Sequence, residues 1–336
     1  MLPQISRAGD WLLRSGIQQP NGGVARYYHT DLQRNAPVST EITGYTLSAL
    51  VYLGHFDRVA TTARFLCRAW DAERQVMPFE TGEPAFAYFF DSGIIVRGLL
   101  AAWRATDEQD FLDTAVEVGR HMARDYDAGA DFHPILALPG KQPVERDVLR
   151  WSQAPGCYQL KAAMAFHDLA QAAGDTSFLD PYDRILDYSL RTYGSFLPGH
   201  SDRLKVMDRL HAFSYFLEGL LPRVHEPRCC AAMNEGIRRV AALLREIAPE
   251  FERSDVYAQL LRARIYADRA GVAPLDREAA AYEAERLQSF EAPDGGFYFG
   301  RRAGEWLPYL NPVSTAFAMQ ALAVWSGEPA SIADLI

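Results

Sequence analysis

The chain has 336 residues, of which 49% are hydrophobic and 23% charged, with 24 Gly and 19 Pro. These globular proportions exclude disorder, a collagen-like repeat and a disulfide scaffold. The net charge of −9, with no basic run to offset it, repels phosphate backbones and excludes nucleic acid as the expected partner.

No apolar run reaches the roughly 18 residues a membrane span needs. The opening segment, MLPQISRAGDWLLRSG, lacks the continuous apolar stretch of a secretory signal, so the expected location is the cytoplasm. Cys67, Cys157, Cys229 and Cys230 form no CxxC pair. They read as small apolar side chains in a reducing compartment, and neither a metal nor a cofactor is expected.

Helical periodicity predicts twelve helices and almost no alternating strand. In chain order they are 4–17, 40–53, 56–72, 90–105, 109–127, 155–173, 179–197, 208–222, 229–247, 254–270, 276–290 and 312–326. The second of each pair is apolar around most of its circumference and should be buried on nearly all faces. The first of each pair, as in GIRRVAALLREI, is rich in Arg and Glu on one side and should form an outer layer. Outer and inner alternate six times, with inner starts separated by roughly 45 to 65 residues, the signature of a repeat architecture.

The chain ends resemble each other. PNGGVARYYHTDLQRNAPVSTEITGY, from Pro20, aligns with PDGGFYFGRRAGEWLPYLNPVSTAFAMQ, from Pro293, through Gly-Gly, a run of aromatics and Pro-Val-Ser-Thr. Alike first and last repeats imply a ring closed on itself, which removes the exposed ends an open solenoid must cap. The expected fold is therefore all-α, an (α/α)6 toroid of six helical hairpins spanning 1–336 as one domain, although length alone suggests two.

The outer-to-inner connections 18–39, 73–89, 128–154, 198–207, 248–253 and 291–311 include the long ones, whereas inner-to-outer connections mostly have two to six residues. Long loops in a compact domain usually carry function, so the working face should lie over the N-termini of the inner helices. Those helix starts supply Glu41, Asp91, Asp208 with His211, Asp255 and Ser314-Thr315. Helix capping accounts for such residues one at a time, but it does not require several carboxylates to converge on one rim.

The loops add Tyr27, Tyr28, Phe79, Tyr88, Phe90, Trp151, Tyr298, Trp306 and Tyr309, mixed with Arg26, His29, Glu80, Arg150 and Gln153. Tyr45, Tyr158 and Tyr215 join them from the helices. Aromatic walls with a few polar groups suit a sugar, whose C–H faces stack on rings and whose hydroxyls need fixed partners. Glu41 and Asp91 are the candidate acid–base pair, with His211 assisting. Glycosidic chemistry needs two such groups, about 5 Å apart for retention or about 6.5–9.5 Å for inversion. Walker A, GxGxxG, HExxH, GxSxG, DxDD and DDxxD motifs are absent. Two alternatives stay open: an epimerase using His211 with His29 or His133, and a non-catalytic glycan-binding or scaffold protein.

Several segments, STEITGY, FDSGIIVRGLLAAWRATDEQDFLDTAVEVG, CYQLKAAMAF and LHAFSYFLEGLL, resemble the VpsJ-type family of bacterial polysaccharide-biosynthesis proteins over about residues 5–325. Glu41, Thr43, Gly44, Tyr45, Phe90, Asp91, Ser92, Gly93, His211 and Tyr215 match its motifs, with Gly44 and Gly93 read as packing positions. The resemblance implies work on an exopolysaccharide or other surface glycan, alongside other polysaccharide-biosynthesis proteins. There is a wider similarity to six-hairpin glucuronyl hydrolases and sugar epimerases. The second acid of the glucuronyl hydrolases has no counterpart at Pro155-Gly156-Cys157.

Overall fold

The computed structural model describes residues 3–80, 85–329 and 331–336; residues 81–84, part of the second long connection, lie outside it. Six outer helices, α1 (Pro3–Arg14), α3 (Phe56–Ala69), α5 (Gln109–Asp125), α7 (Leu179–Phe196), α9 (Pro227–Ile247) and α11 (Arg277–Gln288), alternate with six inner ones. The inner helices are α2 (Thr40–Tyr52), α4 (Phe89–Thr106), α6 (Gln159–Ala172), α8 (Arg203–Gly219), α10 (Ser254–Arg269) and α12 (Pro312–Trp325). Each inner helix packs on the next, and α12 returns to α2, so the ring closes. The fold is the all-α toroid expected.

Burial follows the sequence pattern. Every residue of α12 from Pro312 to Val324 is buried, whereas α3 buries one stripe, Val59, Thr62, Ala63, Phe65 and Leu66. An inner helix touches neighbours on all sides and an outer helix on one, so their apolar faces differ in width. Close crossings between inner helices need glycine. A Cβ at Gly93 would stand 2.4 Å from the carbonyl oxygen of Ala162 on α6, and one at Gly44 would stand 3.1 Å from Cα of Ile95 on α4.

The structure departs from the sequence reading in three places. The long connections are not plain loops, because they carry two- and three-residue strands that stitch neighbouring repeats together. Phe86–Tyr88 pairs with Ile135–Ala137, Phe251–Arg253 with Gly300–Arg302, and Tyr309–Leu310 with Tyr28–His29 across the ring closure. Strands this short present no alternation to read.

The second departure concerns helix starts. α8 begins at Arg203, capped by the Asp202 side chain, so Asp208 and His211 lie one and two turns inside it rather than at its start. Similarly, α6 begins at Gln159 rather than at Pro155. In the third, the two Pro-Val-Ser-Thr segments are not equivalent. Val38–Ser39 is a strand before α2, whereas Pro312 opens α12. The true equivalence lies in the hydrogen bonds, where Val24 N donates to Thr43 Oγ1 and Phe297 N to Thr315 Oγ1, both at 3.0 Å.

Beneath the rim the ring is filled by a buried charged cluster. Glu218 accepts from Arg262 at 2.5 Å and pairs with Lys161 at 2.9 Å, and Arg97 donates to Asp168 at 3.0 Å. Lys161 and Arg262 also donate to the carbonyl of Ile336, and Arg97 donates to that of Leu335, so residues 331–336 are tied into the barrel interior.

Candidate functional site

At the N-terminal end of the inner helices a bowl of about 260 Å³ gathers Glu41, Asp91 and His211 on one lining. Glu41 and Asp91 stand in the first turns of α2 and α4, and His211 reaches the bowl from the third turn of α8. The capping explanation fails for both acids. Ser39 caps α2, Tyr88 precedes α4 without a side-chain cap, and Asn311 rather than Ser314 caps α12.

The wall is aromatic. Phe79 packs on Tyr88 at 5.2 Å, Trp151 on Tyr158 at 5.0 Å, and Phe90 on Tyr215 at 4.7 Å between ring centroids. Tyr215 lies one turn after His211 on α8, and their rings meet edge-on at 4.5 Å. Pro134 and Ser152 complete the lining. Neither was named from sequence: Pro134 is a loop proline without a pattern, and only adjacency to Trp151 could have pointed to Ser152.

Burial in this wall decides the electrostatics. Desolvation pushes the Glu41 carboxyl up to about 7 against the opposing pull of Arg26. Asp91 is held well above the usual carboxylate range, first by burial and then by the nearby charge of Glu41. The helix N-termini favour the ionised forms, but loss of water outweighs them. Asp91 Oδ2 is buried without a hydrogen-bond partner, and neither carboxyl forms an ion pair among the described residues. Two like acids on one lining disfavour joint ionisation, so the charge of one helps to keep the other protonated.

Arg26 sits at the rim, its guanidinium 4.5 Å above the Phe79 ring and bonded to Glu80 at 2.6 Å. This pair stays outside the lining but sends a positive field toward both acids. Tyr45 lies below the bowl, buried against Phe317, with its hydroxyl beside that of Tyr215.

His211 is fixed from behind. Its Nδ1 lies 2.8 Å from Gln259 Oε1 and 3.3 Å from Asp255 Oδ2, two acceptors that place the proton on Nδ1 and leave Nε2 as the acceptor. Burial lowers this imidazole to about 4, outweighing the pull of Asp255. It is therefore expected to stay neutral from pH 5 to 8, with Nδ1 protonated. Ring ¹⁵N chemical shifts check this, and a titration centred near 6.5 would contradict it.

The sequence placed Asp255 among substrate-binding residues. The structure gives both its oxygens to Arg253, at 3.0 and 2.5 Å, and Arg253 also takes Asp208 at 2.7 Å. Asp255 thus orients His211 and is absent from the lining. Gln259, one turn along α10, was missed, although its spacing from Asp255 puts both on one face.

Other expected contacts lie elsewhere on the rim. Tyr27 packs on His29 and Tyr309, Tyr28 is in the strand at the ring closure, and Tyr298 stacks on Trp306 at 4.8 Å. These aromatics plug loops together. Gln153 faces an adjoining groove that shares Trp151 and Ser152 with the bowl. Neither His29 nor His133 lines the bowl, so the two-histidine arrangement is not assembled. No group of three or more His, Cys, Asp or Glu suited to a metal occurs among the described residues. No helix among them is long and apolar enough to cross a membrane.

No protein-family model and no curated protein sequence matches the chain. Solved structures do. A sugar epimerase from a ruminal bacterium superposes with TM-score 0.72 at 13% identity, covering 97% of this chain and 100% of that one. A family 76 α-mannanase from Bacteroides thetaiotaomicron gives TM-score 0.63 at 12% identity, with 97% of each chain covered. A type II terpene cyclase from Scytonema gives 0.60 at 14%, with 95% of each covered. At these identities the likeness is one of fold, and it places the chain among (α/α)6 toroids, whose chemistry the site must decide.

Proposed function

We propose that the chain is a carbohydrate-active enzyme of glycoside hydrolase type, with Asp91 as general acid and Glu41 as the base or nucleophile. One observation carries this reading. Buried acids elsewhere are tied to basic partners, as Glu252 is to Arg286 and Arg301, yet Glu41 and Asp91 have none among the described residues and face a bowl walled by rings. Such groups await a ligand with hydroxyls to bond and an oxygen to protonate. Asp91, whose Oδ2 is buried without a hydrogen-bond partner, carries the proton and donates it to the leaving oxygen. Glu41, closer to ionisation through Arg26, acts on the anomeric carbon or on a water.

The single histidine supports this reading over epimerisation by a histidine pair. A neutral His211 Nε2 accepts a hydrogen bond from a sugar hydroxyl. The missing DxDD motif disfavours cyclase chemistry. A place in exopolysaccharide or surface-glycan metabolism, in the cytoplasm and beside other biosynthesis proteins, rests on the VpsJ-type resemblance. Its matching positions Glu41, Phe90, Asp91, His211 and Tyr215 all line the bowl. The whole chain is read as one catalytic domain.

The test is release of reducing ends from a panel of bacterial exopolysaccharides and their oligosaccharides. Turnover of at least one member is expected, with the anomeric configuration of the product read by NMR. Binding of a glycan with no turnover across the panel would leave a non-catalytic binder instead.

A further inference from the structure

Trp151 lines the bowl and also edges two cavities beyond it, of about 650 and 330 Å³. Arg209 borders both of these, and Lys205 and Arg150 line the larger. Two acids face the same groove and both are engaged: Asp147 lies 3.6 Å from Arg150, and Asp208 bonds Arg253. Arg209 and Lys205 have no carboxylate partner among the described residues. The Arg209 guanidinium lies over the Phe196 ring and reaches the carbonyls of Phe196 and Val148 at 3.3 Å, while Lys205 approaches only His200, at 3.5 Å.

The placement of Arg209 is built into the backbone. Gly199 has φ +62°, and a Cβ there would stand 2.7 Å from Arg209 Nη1, so a glycine at this turn leaves the space the guanidinium occupies. Two uncompensated cations on one groove, in a chain of net charge −9, concentrate a positive field where the surface otherwise repels anions.

We propose that this groove is a second subsite, which holds a sugar unit bearing an anionic substituent next to the unit in the bowl, with Trp151 between the two. The substrate is then an acidic oligosaccharide or polysaccharide rather than a neutral one. This rests on the glycan-active reading above and adds the substrate class. Arg209 supplies a planar donor set matched to a carboxylate or sulfate, and Lys205 supplies a mobile point charge.

The experiment is a binding and turnover comparison using tetrasaccharides from several polyuronates and a sulfated glycan, each against its carboxyl-reduced or desulfated counterpart. At low salt at least one acidic member is expected to bind about tenfold more tightly than its neutral counterpart, with the ratio falling as salt rises. The polyuronate and sulfated arms identify which anion is taken. Lys205→Gln and Arg209→Gln should each bring the ratio several-fold closer to one. Because the ratio is measured within a single variant, loss of folded protein does not imitate the effect. Neutral members binding as well as acidic ones overturns the subsite and leaves the glycan activity standing. Binding by no member overturns both.

Discussion

Asp91→Asn is expected to lower kcat on a glycan substrate by about 10³-fold while leaving its affinity within a few-fold, as removal of a general acid does. Asn keeps the shape and a donor but supplies no proton. Glu41→Gln should cost a similar factor, and the double variant little more, because the two act as a unit. In the wild type, kcat/KM should rise as pH passes about 7, where Glu41 ionises, and fall again when Asp91 loses its proton. Residual activity of Asp91→Asn should lack the alkaline fall. An optimum below pH 6, or a variant that turns over normally, would move the chemistry to other groups.

The same pair sets a stability trend with a definite sign. Both carboxyls bind protons more tightly folded than unfolded, so stability is fully present below about pH 4 and declines as pH rises toward about 7 and beyond. Asp91→Asn removes part of that decline. At pH 8 the variant should be the more stable by on the order of 1–2 kcal/mol, a trade of stability for function at an active site. Urea unfolding at pH 5 and pH 8 measures it.

The second large effect lies below the bowl. Glu218→Gln is expected to cost about 3–5 kcal/mol, because it leaves Lys161 and Arg262, both fully buried, without their shared anion. Glu108→Gln, which loses an exposed pair with Arg64 at 2.9 Å, should cost under about 1 kcal/mol and serves as the comparison. Denaturant midpoints of the two variants decide it, and a Glu218→Gln loss as small as the surface one would mean the cluster is solvated.

The toroid was legible because an inner helix is apolar on every side, and α12 could be read from PVSTAFAMQALAVW alone. The start of α8 was not. Its first turns, Arg203 to Asp208, bury Val206 and Met207 but set Lys205 and Asp208 on the groove, so the all-round apolar pattern begins late. Glu41, Asp91 and Asp255 look alike in sequence, each an acid in the opening turn of an inner helix. What separates Asp255 is Arg253, two residues earlier, whose side chain folds back onto it. No such cation precedes Glu41 or Asp91. Loop aromatics were the least readable, since Tyr298 stacked on Trp306 and Trp151 set edge-on to Tyr158 present the same residue types. Only the path of the rim decides which pair faces the bowl.

The joint between the first and last repeats has a kinetic consequence. Arg7 meets Glu291 across 284 positions of chain, and Tyr28–His29 pairs with Tyr309–Leu310, whereas the other joints between inner helices link sequential neighbours. Contacts of such high order form after local ones, because the loop entropy must be lost before they reward it. An arc of five or six assembled hairpins with two sticky edges therefore precedes the closed ring. At high concentration those edges can close on a second copy instead of on each other, so the seam is where exchange into swapped dimers would begin.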